Sequence, residues 1–261
     1  MRKSVITLAF GAMIAPALVA AQDATKAVAG GGELAPGWQM RVDPRAGSGT
    51  PPKFVAMGNG FHATSGERAI YWRPGDVATG NYKVSATFTL TKPPGHAEAY
   101  GLIFAGKDLT GPTQNYMYFT LGGNGTYLIK HRAGDADSLI HTIVNWTPSD
   151  AIAKADASGK STDKLEVVVG AQKIQYLING KEVYSMDRAK AVGAGNMLAS
   201  TDGIAGIRVS HNLDVHISDF KIGKSIVVIP SHQARDRESR GRGLSMRTTA
   251  IPRFTRDDKA T

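Results

Sequence analysis

The stretch Tyr82-Lys83-Val84-Ser85-Ala86-Thr87-Phe88-Thr89-Leu90 decides the fold class. Tyr82, Val84, Ala86, Phe88 and Leu90 alternate with Lys83, Ser85, Thr87 and Thr89, a period of two that sends the apolar side chains to one face of an extended strand. A helix would scatter the same residues round its axis. A half-buried strand of this kind needs neighbours to pair with and a second layer to cover its apolar face.

Outward from this stretch the chain continues as short alternating runs punctuated by turn residues, the pattern of an all-β sandwich or barrel. Three Asn-Gly pairs, Asn59-Gly60, Asn124-Gly125 and Asn179-Gly180, each lie between such runs. Each predicts a tight hairpin, because a primed turn needs positive φ at both central residues. The third joins strands over 173–178 and 181–185; the second joins 115–121 to 126–132, where the preceding Gly122-Gly123 predicts a looser loop. Further strands are expected over 38–43, 53–57, 61–64, 67–73, 99–106, 138–145, 164–170, 204–210 and 213–222, with one short helix over 150–157. In the last strand Val215 and Ile217 share one parity while Phe220 and Ile222 share the other, which predicts a β-bulge near Ser218-Asp219.

The two ends read differently. Residues 1–21 begin with Arg2 and Lys3, run apolar over 5–14 and end in Leu18-Val19-Ala20-Ala21, the pattern of a cleavable signal peptide cut after Ala21 or Ala20. Gly11 and Pro16 break the apolar run below the roughly 20 residues that span a bilayer. Residues 22–36 read as a linker and residues 37–229 as one β-sandwich domain, with a last edge strand over 226–229. Residues 230–261 place Arg235, Arg237, Arg240, Arg242 and Arg247 among Ser, Gly and Asp, too polar to offset their ordering entropy by burial, and are expected to be disordered. Such a tail is expected to attract anionic membrane surfaces. The expected location is secreted or periplasmic.

Export permits disulfides, yet the chain has no cysteine, so its stability must come from the core alone. A single domain of about 200 residues, burying about 70% of its unfolded surface, can supply that. The net charge of +9 is concentrated at the ends: Arg2 and Lys3 contribute two, and residues 224–261 carry nine basic against four acidic side chains. The near-neutral body has no basic stripe, which argues against nucleic acid as a partner.

The runs Gly101-Leu102-Ile103-Phe104, Asn115-Tyr116-Met117-Tyr118-Phe119, Gly125-Thr126-Tyr127, Tyr176-Leu177-Ile178-Asn179-Gly180-Lys181 and Gly203-Ile204-Ala205-Gly206-Ile207-Arg208 resemble the concanavalin A-like lectin/glucanase superfamily, nearest to laminin G-like domains and the 3-keto-disaccharide hydrolase domain family. The resemblance, over roughly residues 38–222, implies a two-sheet antiparallel jelly-roll sandwich with glycans met on the concave face or at the loop edge. It also implies a structural calcium ion near the last strand, for which Asp219 is the matching aspartate. The laminarinase-like branch carries two glutamates and an aspartate on one strand. Here Glu33, Glu67, Glu98, Glu166 and Glu182 stand apart, which disfavours hydrolysis by a carboxylate pair about 5–5.5 Å apart.

Sugar rings stack on aromatic faces, and the candidate platforms are Trp72, Tyr100, Tyr116, Tyr118 and Trp146, although an aromatic in a strand more often packs in a core. Tyr71-Trp72-Arg73-Pro74 and Asn145-Trp146-Thr147-Pro148 place each tryptophan at a strand end beside a loop. Arg73, Lys130, Arg132 and Asn145 are the candidate partners for hydroxyls or an acidic sugar. His131 and His141 flank a loop over 133–137; with His131 opposite Leu139 they become diagonal neighbours on one face, and a one-residue slip separates them. Together they would serve as acid and base for removing a proton beside a ketone, or as two metal ligands. The leading expectation is an exported carbohydrate-binding module. The alternatives are cleavage of 3-keto-glycosides by elimination, and a structural envelope protein without a soluble ligand.

Overall fold

The computed structural model describes residues 34–43, 51–91, 98–193 and 197–225. The signal-peptide reading of residues 1–21, the edge strand over 226–229 and the basic tail lie outside them. Fourteen strands follow in order: β1 (Gln39–Val42), β2 (Lys53–Met57), β3 (Gly60–Ser65), β4 (Ala69–Ala78), β5 (Tyr82–Leu90), β6 (Ala99–Lys107) and β7 (Asn115–Gly122). The second half supplies β8 (Thr126–Arg132), β9 (Ile140–Pro148), β10 (Ser161–Val169), β11 (Lys173–Ile178), β12 (Lys181–Asp187), β13 (Gly203–Val209) and β14 (Leu213–Lys224). The stretch 150–157 is irregular rather than helical. Asp163 accounts for it: its Oδ1 accepts the Ala153 N–H at 2.7 Å and an amide proton of Asn179 at 2.7 Å, pinning the segment to β10 in an open conformation.

The strands form two seven-stranded sheets, ordered β1-β4-β13-β6-β7-β8-β9 and β12-β11-β10-β5-β14-β3-β2. Every strand pair is antiparallel. This is the expected two-sheet jelly-roll sandwich. Its core lies between the sheets, where the alternating residues of β5 meet Tyr100, Phe104, Phe119 and Tyr176, all fully buried. Each such side chain stabilises the fold by about 1.5–3 kcal/mol.

The turn chemistry is local and mostly as read. Asn179 and Gly180 have φ of 51° and 80°, the primed turn expected between β11 and β12. The first hairpin differs, since Met57 pairs with Gly60 and the two turn residues are Gly58, at φ 60°, and Asn59. Gly60 is instead a strand residue, and a Cβ there would run into the carbonyl oxygen of Ile217 on β14. The bulge near Ser218-Asp219 is present: the β5–β14 register shifts between Ser218 and Lys221, with Asp219 at φ 53°. It keeps Ile222 facing the core while Lys221 faces out.

Candidate functional site

Four of the proposed ligand residues lie on the face of the first sheet turned away from the core. That face is itself buried. Ile70 and Trp72 of β4, Ile103 of β6, Tyr116 and Tyr118 of β7 and Leu128 of β8 form a second apolar cluster, joined by Leu109. Trp72 is 2% exposed in mid-strand, because β4 runs on through Arg73-Pro74 to Ala78. The sequence placed it at a strand end by reading that proline as a stop, whereas an edge-like position tolerates proline inside a strand.

Tyr116 and Arg132 belong to a polar knot within this layer. Arg208 donates to both oxygens of Asp43, at 2.8 and 3.4 Å, and to the Tyr116 hydroxyl at 3.0 Å. Its guanidinium also lies 4.8 Å from the Tyr118 ring centroid. Arg132 donates to the carbonyls of Gly134 and Asp135, each at 2.9 Å, and stands 3.5 Å from Asp43. Burial alone would raise the Asp43 carboxyl; Arg208, backed by Arg132 and Arg68, outweighs it and holds the group below the usual carboxylate range. Burial pushes the Tyr116 hydroxyl up to about 12. These groups brace β1, β7, β8 and β13 against one another. Asp43 and Arg208 carry no sequence motif, and only the pairing of distant strands brings them together.

His131 and His141 face each other directly, His131 pairing with His141 rather than with Leu139. The Asp137–Leu139 3-10 turn lengthens the connecting loop and so sets this alignment, which runs unshifted from the Arg132–Ile140 pair to the Lys130–Thr142 pair. Their Nδ1 atoms are 3.3 Å apart, and His131 Nε2 is 2.9 Å from Asn115 Oδ1. Asn115 donates its amide to the Met197 carbonyl, so its oxygen accepts from His131 Nε2–H, leaving His131 Nδ1 to accept from His141. Burial, then the neighbouring His141, lowers the His131 pKa to about 4. His131 is fully buried while His141 is half-exposed, so the pair is a hydrogen-bonded unit with its second ring reaching toward solvent.

Trp146 is the counterpart to this buried set. It is 38% exposed on β9, an edge strand of the first sheet. A Cβ at Gly122 would sit 2.7 Å from its Cζ3, so the glycine is what lets the indole approach β7 this closely. Gly122 also lines a cleft of about 730 Å³ with Gly123, Asn124, Ser149, Asp150 and Lys154. Asn145 is exposed, but its Oδ1 accepts the Trp146 N–H at 2.9 Å and so orients the strand. Arg73, at the far edge of the sheet, pairs with Asp76 at 2.7 Å and lies 5.3 Å from the Trp38 ring centroid. Trp72, Arg73, Tyr116 and Arg132 therefore do not converge on Trp146. Of the cleft residues, the sequence pointed to Tyr100, one of the candidate platforms and here almost wholly buried at the cleft wall, and to the Gly122-Gly123-Asn124-Gly125 loop, whose glycines leave open space.

Asp219 pairs with Lys221 at 3.2 Å and shares a groove with Lys83 and Lys164. Three ammonium groups beside one exposed carboxylate do not fit a calcium ion, which takes six to eight oxygen ligands. Among the described residues no group of three or more His, Asp or Glu side chains is arranged to hold a metal.

No protein-family model and no curated protein matches the chain. Among solved structures it is similar to the laminarinase catalytic domain of Thermotoga maritima MSB8, at 10% identity and a TM-score of 0.52, over 77% of this chain and 98% of that one. It is also similar to the carbohydrate binding module CBM66 of Bacillus subtilis, at 12% identity and TM-score 0.48 over 72% and 96%. The Ca2+-bound exoplasmic/lumenal domain of VIP36 is similar at 10% identity and TM-score 0.47, over 75% and 86%. The likeness to the laminarinase domain, at such an identity, bears on the fold alone, a two-sheet jelly-roll sandwich.

Proposed function

We propose that the chain is an exported glycan-recognising module that stacks a sugar ring on Trp146 at the mouth of the adjoining cleft. The observation that carries this reading is a part-exposed indole packed close against Gly122, beside a cleft of about 730 Å³ that Gly122 lines. Asn124, Ser149, Asp150 and Lys154 offer donors and acceptors to the hydroxyls, and the indole face meets the apolar C–H patch of a pyranose. The laminarinase domain that is similar in fold supports a saccharide as the ligand class. The sequence pattern of residues 1–21 supports export.

Calorimetry of the full chain against a panel of neutral and acidic oligosaccharides tests the proposal. Trp146→Ala is expected to weaken the best ligand about tenfold, the worth of one stacked ring. An absence of binding at millimolar saccharide would sink it and favour a structural envelope role. Cleavage of 3-keto-glycosides is the weaker reading, because of the two histidines proposed as acid and base His131 is fully buried and only His141 is half-exposed.

A further inference from the structure

The outer face of the second sheet carries a second groove, of about 560 Å³, where β5, β10 and β14 run side by side. Its floor follows from the register. Ser85 pairs with Glu166 on one side and Lys221 on the other; Thr87 pairs with Lys164 and Ser218; Lys83 pairs with Gly223. Long lysines thus stand round short hydroxyl side chains. Gly223 adds no side chain, and a Cβ there would meet nothing within 4 Å. The bulge at Asp219 makes the arrangement possible, because without it Lys221 would point into the core and Ile222 out.

The charges are unequally matched. Lys83 and Lys164 both reach the same atom, Glu166 Oε1, at 3.1 and 3.0 Å, so two cations share one carboxylate oxygen. Burial alone would raise Glu166; the hydrogen bonds from Lys164 and Lys83 overcome it and keep the group ionised below its usual range. One positive charge and several N–H donors remain for a ligand. Lys221, paired with the exposed Asp219, adds a third ammonium.

We propose that this groove binds an oxyanion-bearing saccharide, a hydroxylated chain carrying sulfate or carboxylate groups. The ammonium groups take the anions, the Ser85 and Thr87 hydroxyls take hydroxyl or ether oxygens, and the Asp219 and Glu166 carboxylates accept from ligand hydroxyls. Nucleic acid fits less well, since the groove has no aromatic side chain for base stacking. Lysines attract as point charges on flexible stems, so binding is salt-sensitive. The site is separate from the cleft beside Trp146.

Calorimetry of the full chain with dextran sulfate, polygalacturonate, neutral dextran and inorganic sulfate provides the test. One or both acidic polymers bind, the stronger one naming the anion, and binding weakens as salt rises; neutral dextran does not bind. Gly223→Leu, which fills the groove without changing charge, and the double change Lys83→Gln with Lys164→Gln each cost about tenfold or more in affinity. Melting temperature is retained in Gly223→Leu and falls in the lysine double variant, where Glu166 loses both of its cations, and Trp146→Ala leaves this binding unchanged. Full affinity in both groove variants would overturn the proposal by placing the anion elsewhere on the chain, the arginine-rich segment over 235–247 included. Equal binding of neutral dextran, failure of both acidic polymers, or competition by inorganic sulfate as effective as the polymer would overturn it too.

Discussion

Replacing Asp43 by Asn tests whether Arg132 and Tyr116 are structural or ligand-facing. Asp43 is the carboxylate at the centre of three arginines, with Arg208 at 2.8 Å, Arg132 at 3.5 Å and Arg68 at 3.9 Å. Arg208 and Arg132 are 4% and 2% exposed, so neither can turn to water when the charge is removed. Breaking a buried pair in this way costs about 3–5 kcal/mol, because the partner is left as an uncompensated charge. For a domain of this length that corresponds to a fall of about 6–20 °C in Tm. The assay is urea unfolding at pH 7 followed by tryptophan fluorescence, with the slope m unchanged. Adding Arg208→Met to Asp43→Asn should recover part of the loss. The lowered Asp43 carboxyl sets the pH dependence: its contribution is present above the unfolded aspartate pKa and is lost as pH falls through the lower folded value. A loss below about 1 kcal/mol in Asp43→Asn would refute the reasoning, since buried pairs cost more than that. It would free the arginines for an external anion.

Other outcomes follow from single contacts. His131, with its folded pKa lowered to about 4, takes up its proton more readily in the unfolded chain, so stability falls as pH drops from about 6.5 through 4. The loss is at most about 3 kcal/mol, roughly half after solvent screening. His131→Gln should flatten that limb of the pH–stability curve, and an unchanged limb would clear the histidine pair. A Cβ at Gly101 would meet Thr120 Cα at 2.8 Å, backbone of the paired strand, so Gly101→Ala should cost about 2–3 kcal/mol in chemical unfolding. Gly223→Ala, in open space, should cost less than about 0.5 kcal/mol in the same assay. Calcium or a chelator should leave Tm unchanged, and Asp219→Gly should be neutral or stabilising, because glycine adopts positive φ without strain. A rise in Tm with calcium that Asp219→Gly abolishes would restore the metal site.

The sequence by itself determined the strands and their turns. Alternation in residues 82–90, the Asn179-Gly180 turn and the parity slip at Ser218-Asp219 are local, carried by backbone conformations that neighbouring residues dictate. Trp146 was legible for the same reason, as an aromatic beside Pro148 at the end of β9. The tertiary structure alone decided which polar residues meet and which faces are covered. Alternation assigns one face of a strand to a core, yet both faces of β7 are buried, and nothing in the period distinguishes Tyr116 in a second apolar layer from Tyr116 in solvent. His131 and His141 were expected as neighbours in another register, because the spacing did not reveal the 3-10 turn at Asp137–Leu139 that lengthens the loop between β8 and β9. Asp43 with Arg208, and Lys83 with Lys164 and Lys221, come from strands far apart in the chain. Their meeting depends on strand order, which long-range burial sets and no local pattern encodes.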